Sequence, residues 1–324
     1  MKAVVQERYG SPEVLHLEEI PRPEVADAAV LIRVRAASVN AMDKYIVRGK
    51  PFFIRFMVGG LRRPRDRVRG VDVAGVVEAV GTGSGRFHPG DEVFGTAEGS
   101  FAEYAKATEE HLALRPRSLT FEQAAALPIA GVTALWGLRE NGQLKPGQQV
   151  VVYGAGGGVG TYAVQIAKAL GARVTAVTSS KHVDRMRALG ADEVVDYLKE
   201  DLSARTQRYD IFFDVSGTLS LGACRRLLNP GGTLVVVGGG NGRKTGAPIG
   251  RIVKAALLKR LARQRIVICN VRVRAQDLEE LARLAEAAKV MPVVDRQYPL
   301  EQVADAMRTL AEGQVAGKLV IHIA

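Results

Sequence analysis

The chain has 324 residues, of which 47% are hydrophobic and 24% charged. That is the composition of a soluble globular protein, long enough for two domains rather than one core. Its apolar runs are short and broken by glycine or charge, which excludes a membrane-spanning helix. Two cysteines, Cys224 and Cys269, exclude a disulfide framework and a cysteine-rich zinc site and fit a reducing cytoplasm.

The opening "MKAVVQERYG" reads as a strand entering a turn. It has neither the apolar centre of a secretory signal nor the look of a transit peptide, so a cytoplasmic location is expected. The first third continues as short alternating strands with glycine or proline punctuation: "AAVLIRVRAASVN", "GVDVAGVVEAVG" and "DEVFGTAEGSFAEYAKA". A β-rich, barrel-like unit is the expectation. "FEQAAALPIAGVTALWGLRE" then has helical spacing, and "LKPGQQVVVYG" is a turn into a buried strand.

From there strand and helix alternate. "QVVVYG" precedes "VGTYAVQIAKALG", in which Ala163, Ile166, Ala167 and Leu170 recur on one helical face. "RVTAVTS", "KHVDRMRALG", "EVVDY", "YDIFFDVSG", "LGACRRLL", "GGTLVVVGG" and "RIVICNV" continue the rhythm. Such alternation needs crossover helices, hence a parallel sheet covered on both faces. The tail, "AQDLEELARLAEAAK", "VVDRQYPL", "EQVADAMRTLAEG" and "GKLVIHIA", resembles the first third and is expected to return and complete the first domain.

Residues 154–160 place five glycines in seven positions between a strand and an amphipathic helix. This context makes a dinucleotide loop of the glycines. Gly157 lets the backbone approach a pyrophosphate, whose charge rests with Gly158 and Val159 on unpaired N–H groups at the helix start. Gly160 allows close packing of helix on strand. The next strand ends in Thr178, Ser179, Ser180 and Lys181, with no acid before Asp184. A loop for NAD usually has Asp or Glu there; hydroxyls and a lysine suit the 2′-phosphate of NADPH.

The net charge of +11 gathers in "RFMVGGLRRPRDRVRG" and "GRIVKAALLKRLARQRIVICNVRVR". One reading is a solvated surface; the other is a site for anions, whether a phosphorylated cofactor, nucleic acid or acidic lipid. No aromatic residues interleave with these arginines, so base stacking has little to work with. His16, His88, His111, His182 and His322 form no metal or triad motif.

Beyond the glycine loop, the motifs "SVNAMDKYIVRG", "GVDVAGVVEAVG", "HPGDEVFG", "GVTALWGL", "LGADEVVDY", "NPGGTLVVVG" and "GKLVI" resemble the medium-chain dehydrogenase/reductases, on their zinc-independent quinone oxidoreductase branch. The segment "FFIRFMVGGLRRPRDRVRG" also resembles a subgroup related to chloroplast-envelope and bacterial enone reductases. The resemblance implies a GroES-like catalytic domain over residues 1–118, a Rossmann domain binding NADPH over 119–273, and a C-terminal return over 274–324, with a cleft between the domains.

By the same resemblance, the zinc ligands of alcohol dehydrogenases align with Asn40, Val71 and Ile129, of which the last two have no donor atom. Without a Lewis acid, the implied chemistry is hydride transfer from NADPH to a quinone or an α,β-unsaturated carbonyl. Asn40 and Tyr45 are implied beside the nicotinamide, with Tyr45 a candidate donor to the acceptor carbonyl or a packing residue. Thr133 and Gly238 are implied along the cofactor, Tyr197 at the 2′-phosphate, and Lys318 near the nicotinamide; Asp43 is read as structural. Pairing into a homodimer through "RIVICNV" is the family expectation. Two alternatives stand beside this reading: an NADPH-binding regulatory or RNA-binding protein of the same fold, and an alcohol dehydrogenase with an unrecognised metal site.

Overall fold

The structure, a computed structural model, describes residues 1–57, 60–238, 248–258, 264–313 and 315–324. Two compact units are present: residues 1–130, 273–288 and 292–324 form the first, and residues 131–272 and 289–291 the second.

The first unit is β-rich. β1 (Lys2–Gln6) pairs antiparallel with β2 (Leu15–Glu19). β3 (Ala29–Val39) buries Ile32, Val34 and Ala36 while Arg33 and Arg35 face water, the alternation expected of a strand with one face on a core. Helix α1 (Asp43–Arg48) stops at Gly49, whose φ of 58° is one glycine adopts without penalty. After the short α2 (Ile54–Met57) come β4 (Asp72–Val80), β5 (Glu92–Thr96), β6 (Tyr104–Thr108) and β7 (Leu112–Leu114).

α3 (Phe121–Ala125) starts at a capping box in which Thr120 and Gln123 satisfy each other's backbone N–H groups. It packs on β3, β4 and β5. Residues 119–130 therefore belong to the first compact unit, whose first segment runs to Ala130. α4 (Pro128–Trp136) carries the chain into the second unit.

There the strands are β8 (Gln149–Tyr153), β9 (Arg173–Thr178), β10 (Glu193–Asp196), β11 (Tyr209–Asp214), β12 (Leu228–Val236) and β13 (Arg265–Ile268). All neighbours pair parallel, in the order β10-β9-β8-β11-β12-β13. α5 (Gly158–Ala169), α6 (Val183–Ala188), α7 (Leu221–Arg226) and α8 (Pro248–Leu258) are the crossovers. This is the doubly wound dinucleotide-type sheet. Its strands bury Val151, Val177, Phe212 and Leu234 completely, the cost-free arrangement for a sheet covered on both faces.

The chain then returns through α9 (Ala275–Glu286), β14 (Val294–Pro299), α10 (Val303–Glu312) and β15 (Lys318–His322). β15 pairs antiparallel with β3, completing a seven-stranded sheet of order β14-β15-β3-β4-β5-β7 with β6 also on β3. Leu319, Ile321, Val303 and Met307 join the core built by β3 and β4. Of the two basic stretches, residues 58–59 and 259–263 lie outside the described residues. Among the described residues no helix is long and apolar enough to cross a membrane.

Candidate active site

β8 ends at Tyr153 and the chain turns sharply at Gly154, with φ of 92°. Gly157, in extended conformation, is the N-cap of α5. A Cβ on Gly160 would lie 2.3 Å from the Gly154 carbonyl oxygen and 2.6 Å from that of Ala155, so only glycine lets the first turn of α5 sit on the loop. At Gly157 a Cβ would meet nothing nearer than 3.8 Å, which leaves the backbone open to a ligand. The N–H groups of Gly158, Val159 and Gly160, in the first turn of the helix, have no intrahelical acceptor. Open backbone and a helix start together fit a pyrophosphate.

The loop stands at the switch point of the sheet, where β8 and β11 are neighbours but lead to strands on opposite sides. Gly154 lies against the backbone of Ser216, and Gly238 against the Val215 carbonyl, so both glycines allow the exits of β8, β11 and β12 to close up. Asp214, at the end of β11, pairs with Arg251 of α8; both side chains are buried. Burial pushes the Asp214 carboxyl up, against the opposing pull of Arg251 and the Gly217 N–H. Sequence reasoning missed this pair, although an aspartate ending the apolar run "YDIFFD" was a signal for one. Thr133 lies on α4, and its carbonyl receives the Cys269 Sγ–H at 3.9 Å.

At the ends of β9 and β10 the structure gathers Ser179, Ser180, Lys181 and Tyr197. The Tyr197 N–H donates to the Thr178 carbonyl at 3.0 Å, while its ring is exposed. Lys181 is exposed and has no ion pair among the described residues. The Ser180 hydroxyl, however, donates to the carboxylate of Asp196. That hydrogen bond, with the Leu198 N–H and Lys199 adding to it, holds the Asp196 carboxyl below its usual range. An acid therefore stands among the expected phosphate donors. A reading that stops at the end of β9 does not find it, since it arrives from the next strand.

The first unit has its own buried polar cluster, assembled by strand register. Ser38 of β3 is the cross-strand partner of Asp72 of β4, and Leu319 of β15 pairs with Val39. Asn40 and Lys318 follow and precede those positions. Asp72 Oδ2 accepts from Ser38 Oγ at 2.8 Å, Asn40 Nδ2 at 2.9 Å and Lys318 Nζ at 3.3 Å. Its Oδ1 accepts the Ile129 N–H at 3.1 Å, and Lys318 Nζ also donates to Asn40 Oδ1 at 2.6 Å. Lys318 and Asp72 are 4% and 0% exposed. A pair so deep in the protein persists because both carboxylate oxygens and the ammonium are hydrogen-bonded within the cluster. Asn40 has both ends of its amide held, with one Nδ2 hydrogen remaining.

Asp43, the first residue of α1, accepts the Asn40 N–H at 2.7 Å. Burial drives its carboxyl up from 3.8 to about 7, assisted by the charge on Asp72 and resisted by the Asn40 N–H, Lys318 and Arg69. Tyr45 lies one position along the same helix from Lys44, whose ammonium stands 4.9 Å from its ring centre. Partial burial raises the Tyr45 hydroxyl above its ordinary pKa, so it is a neutral donor at physiological pH. Asp72 and Ser38 were absent from the sequence reading. The aspartate inside the apolar run "GVDVAGVV" was the available signal.

Residues 26–117 match the alcohol dehydrogenase GroES-like domain family, and residues 189–321 the zinc-binding dehydrogenase family. The chain is 33% identical to the NADPH-dependent alkenal/one oxidoreductase, chloroplastic, of Arabidopsis thaliana, over 99% of this chain and 79% of that protein. It is 32% identical to the quinone oxidoreductase of Homo sapiens, over 99% and 97% of the two chains. Among solved structures, the quinone oxidoreductase from Coxiella burnetii matches with a TM-score of 0.87 at 30% identity, covering 100% of this chain and 99% of that one. The zinc of the family description finds no fitting donor set at the aligned positions. Asn40 is engaged with Asp72 and Lys318, and Val71 and Ile129 offer hydrocarbon. Among the described residues no three His, Cys, Asp or Glu side chains gather as a metal site.

Proposed function

Because the chain belongs to the medium-chain dehydrogenase/reductase superfamily, on its zeta-crystallin-like quinone oxidoreductase branch, we propose that it is an NADPH-dependent, zinc-independent reductase of quinones or α,β-unsaturated carbonyls. The observation that supports this most is that one chain has hydrocarbon at Val71 and Ile129 and also a glycine loop, with Ala155 in the usual first-glycine place.

In this reading the second unit binds the cofactor and the first serves the acceptor. Gly157, Gly158, Val159 and Gly160 take the pyrophosphate on backbone N–H groups. Lys181 and Ser179 hold the 2′-phosphate, with Tyr197 and the Ser180 backbone at its edge; the Lys181 charge has to outweigh that of Asp196. Thr133, Gly238 and Asn40 flank the nicotinamide half. NADPH, when bound, supplies the hydride. As hydride reaches the acceptor, negative charge builds on a carbonyl oxygen, and Tyr45 donates its O–H to that oxygen. The cluster of Ser38, Asn40, Asp72 and Lys318 keeps the loop before α1 in one conformation, so that Tyr45 is presented in a fixed place. β13, which ends the parallel sheet among the described residues, is the proposed dimer contact, since an unpaired edge strand invites pairing.

The test is turnover of NADPH with phenanthrenequinone and with a simple enone, before and after exhaustive treatment with chelator, alongside metal analysis. Full activity without zinc is expected, and almost none with an unactivated alcohol and NADP⁺. Tightly bound zinc whose removal abolishes turnover would favour the alcohol dehydrogenase alternative. Retention of RNA at physiological salt without any turnover would favour the regulatory one.

A further inference from the structure

Residues 48–69 hold eight basic side chains and one acidic one, Asp66. The same segment exposes Phe52 by 58%, Phe53 by 42%, Phe56 by 64% and Leu61 by 50%. A single exposed apolar side chain is ordinary; four within ten positions mark a contact surface. They form one knob. Phe52 and Phe56 meet edge to face with ring centres 5.7 Å apart. The Arg55 guanidinium lies over Phe52 at 5.3 Å and over Tyr9 at 4.6 Å, and donates to the Gly49 and Leu61 carbonyls, each at 3.1 Å. Tyr9 donates its hydroxyl to the Gly60 carbonyl at 2.6 Å. The segment is tied down at both ends, yet its rings remain in water.

Beside the knob is an open cleft of about 910 Å³ lined by Arg8, Arg62, Arg63, Arg65 and Arg67 with Glu7. Arg67 is paired with Glu7 and Glu18. The side chains of Arg8, Arg62, Arg63 and Arg65 have no hydrogen-bond or ion-pair partner among the described residues.

We propose that this face docks the protein onto a bilayer surface rich in anionic lipid. The phenylalanines enter the boundary between headgroups and acyl chains while the guanidinia engage lipid phosphates. A soluble polyphosphate or a duplex nucleic acid would satisfy the arginines and leave the rings in water; the bases of a single strand would stack on the rings instead, the case that competition with RNA separates. An apolar protein surface would cover the rings and leave like charges crowded beside it. The membrane interface offers an apolar layer under a layer of phosphates, which matches both features at once, and guanidinium is the side chain suited to bidentate contact with phosphate. The inference goes beyond the proposed reductase activity and does not depend on it.

Co-sedimentation of the full chain with phosphatidylcholine vesicles, and with vesicles that also contain phosphatidylglycerol, tests it. Binding is expected to the anionic vesicles only, weakening as salt rises because the attraction is screened. Phe52→Ser/Phe56→Ser should weaken vesicle binding by at least about tenfold and leave retention on heparin unchanged. Arg62→Glu/Arg63→Glu should abolish both, with melting temperatures confirming that each variant is folded. Two results would overturn the proposal. One is an absence of binding to anionic vesicles. The other is binding that Phe52→Ser/Phe56→Ser leaves intact and a short RNA displaces, which would mark a nucleic-acid site instead.

Discussion

Asp43 is buried beside a second carboxylate, Asp72, and its proton is held up to about pH 7. The consequence for stability follows from its two states. Below about pH 4 the group is protonated whether the chain is folded or not, and it contributes nothing. Between there and pH 7 the unfolded chain gives up the proton more readily than the folded one, so folding loses stability as pH rises, and above pH 7 the loss is complete. Asp43→Asn keeps an oxygen for the Asn40 N–H and removes the ionisation. The variant should match the wild type near pH 4 and exceed it at pH 8, by on the order of a few kcal/mol. Melting temperatures of both proteins across that range check this; a difference independent of pH would assign the effect to packing. Tyr45, two positions away, is tested by chemistry rather than stability. Tyr45→Phe should keep NADPH affinity and lower kcat for an enone by about 10- to 1,000-fold. The fall should be smaller for a quinone, whose reduced form is a stable anion. An unchanged enone rate in steady-state kinetics would leave Tyr45 a packing residue.

At the scale of elements, the proposed function makes the ends of β9 and β10 decide between the two nicotinamide cofactors. Lys181 is exposed and unpaired among the described residues, whereas the Ser180 hydroxyl is committed to Asp196. NADPH should bind at least about tenfold more tightly than NADH, near 1.4 kcal/mol. Lys181→Ala should erase most of that margin and leave NADH affinity nearly unchanged; equal affinities in fluorescence titrations of the wild type would remove the basis for NADPH. These strand ends also show how far sequence carries. The glycine loop, β9 and α5 are legible because each signal is local, a turn or a period within one stretch of chain. Asp196 was not placed beside Ser180, because adjacency of β9 and β10 brings the two together across 16 positions. The bond between Lys318 and Asp72 spans 246 positions and depends on two strand pairings through β3. No pattern in either segment encodes its partner. What the sequence does show is the anomaly, an acid or a lysine at the edge of an apolar strand, where an unpaired charge would be costly.

At the scale of the molecule, the return of β14 and β15 explains why the tail repeats the pattern of the first third: β15 fills a place beside β3 that the N-terminal strands leave open. The second unit keeps a six-stranded parallel sheet with its glycine loop at the switch point, and the +11 charge includes the arginine face proposed to meet anionic lipid. The claim that joins these parts is hydride transfer from NADPH to an electron-poor carbon without a metal. It is tested most directly with NADPH deuterated at the reactive position of the nicotinamide, incubated with a simple enone in the presence of chelator. The location of the label in the product is then read by nuclear magnetic resonance. The predicted product is the saturated carbonyl compound with deuterium on the β-carbon and a solvent proton on the α-carbon. Deuterium on the carbonyl carbon, giving an allylic alcohol, or no oxidation of NADPH by either an enone or a quinone, would contradict it.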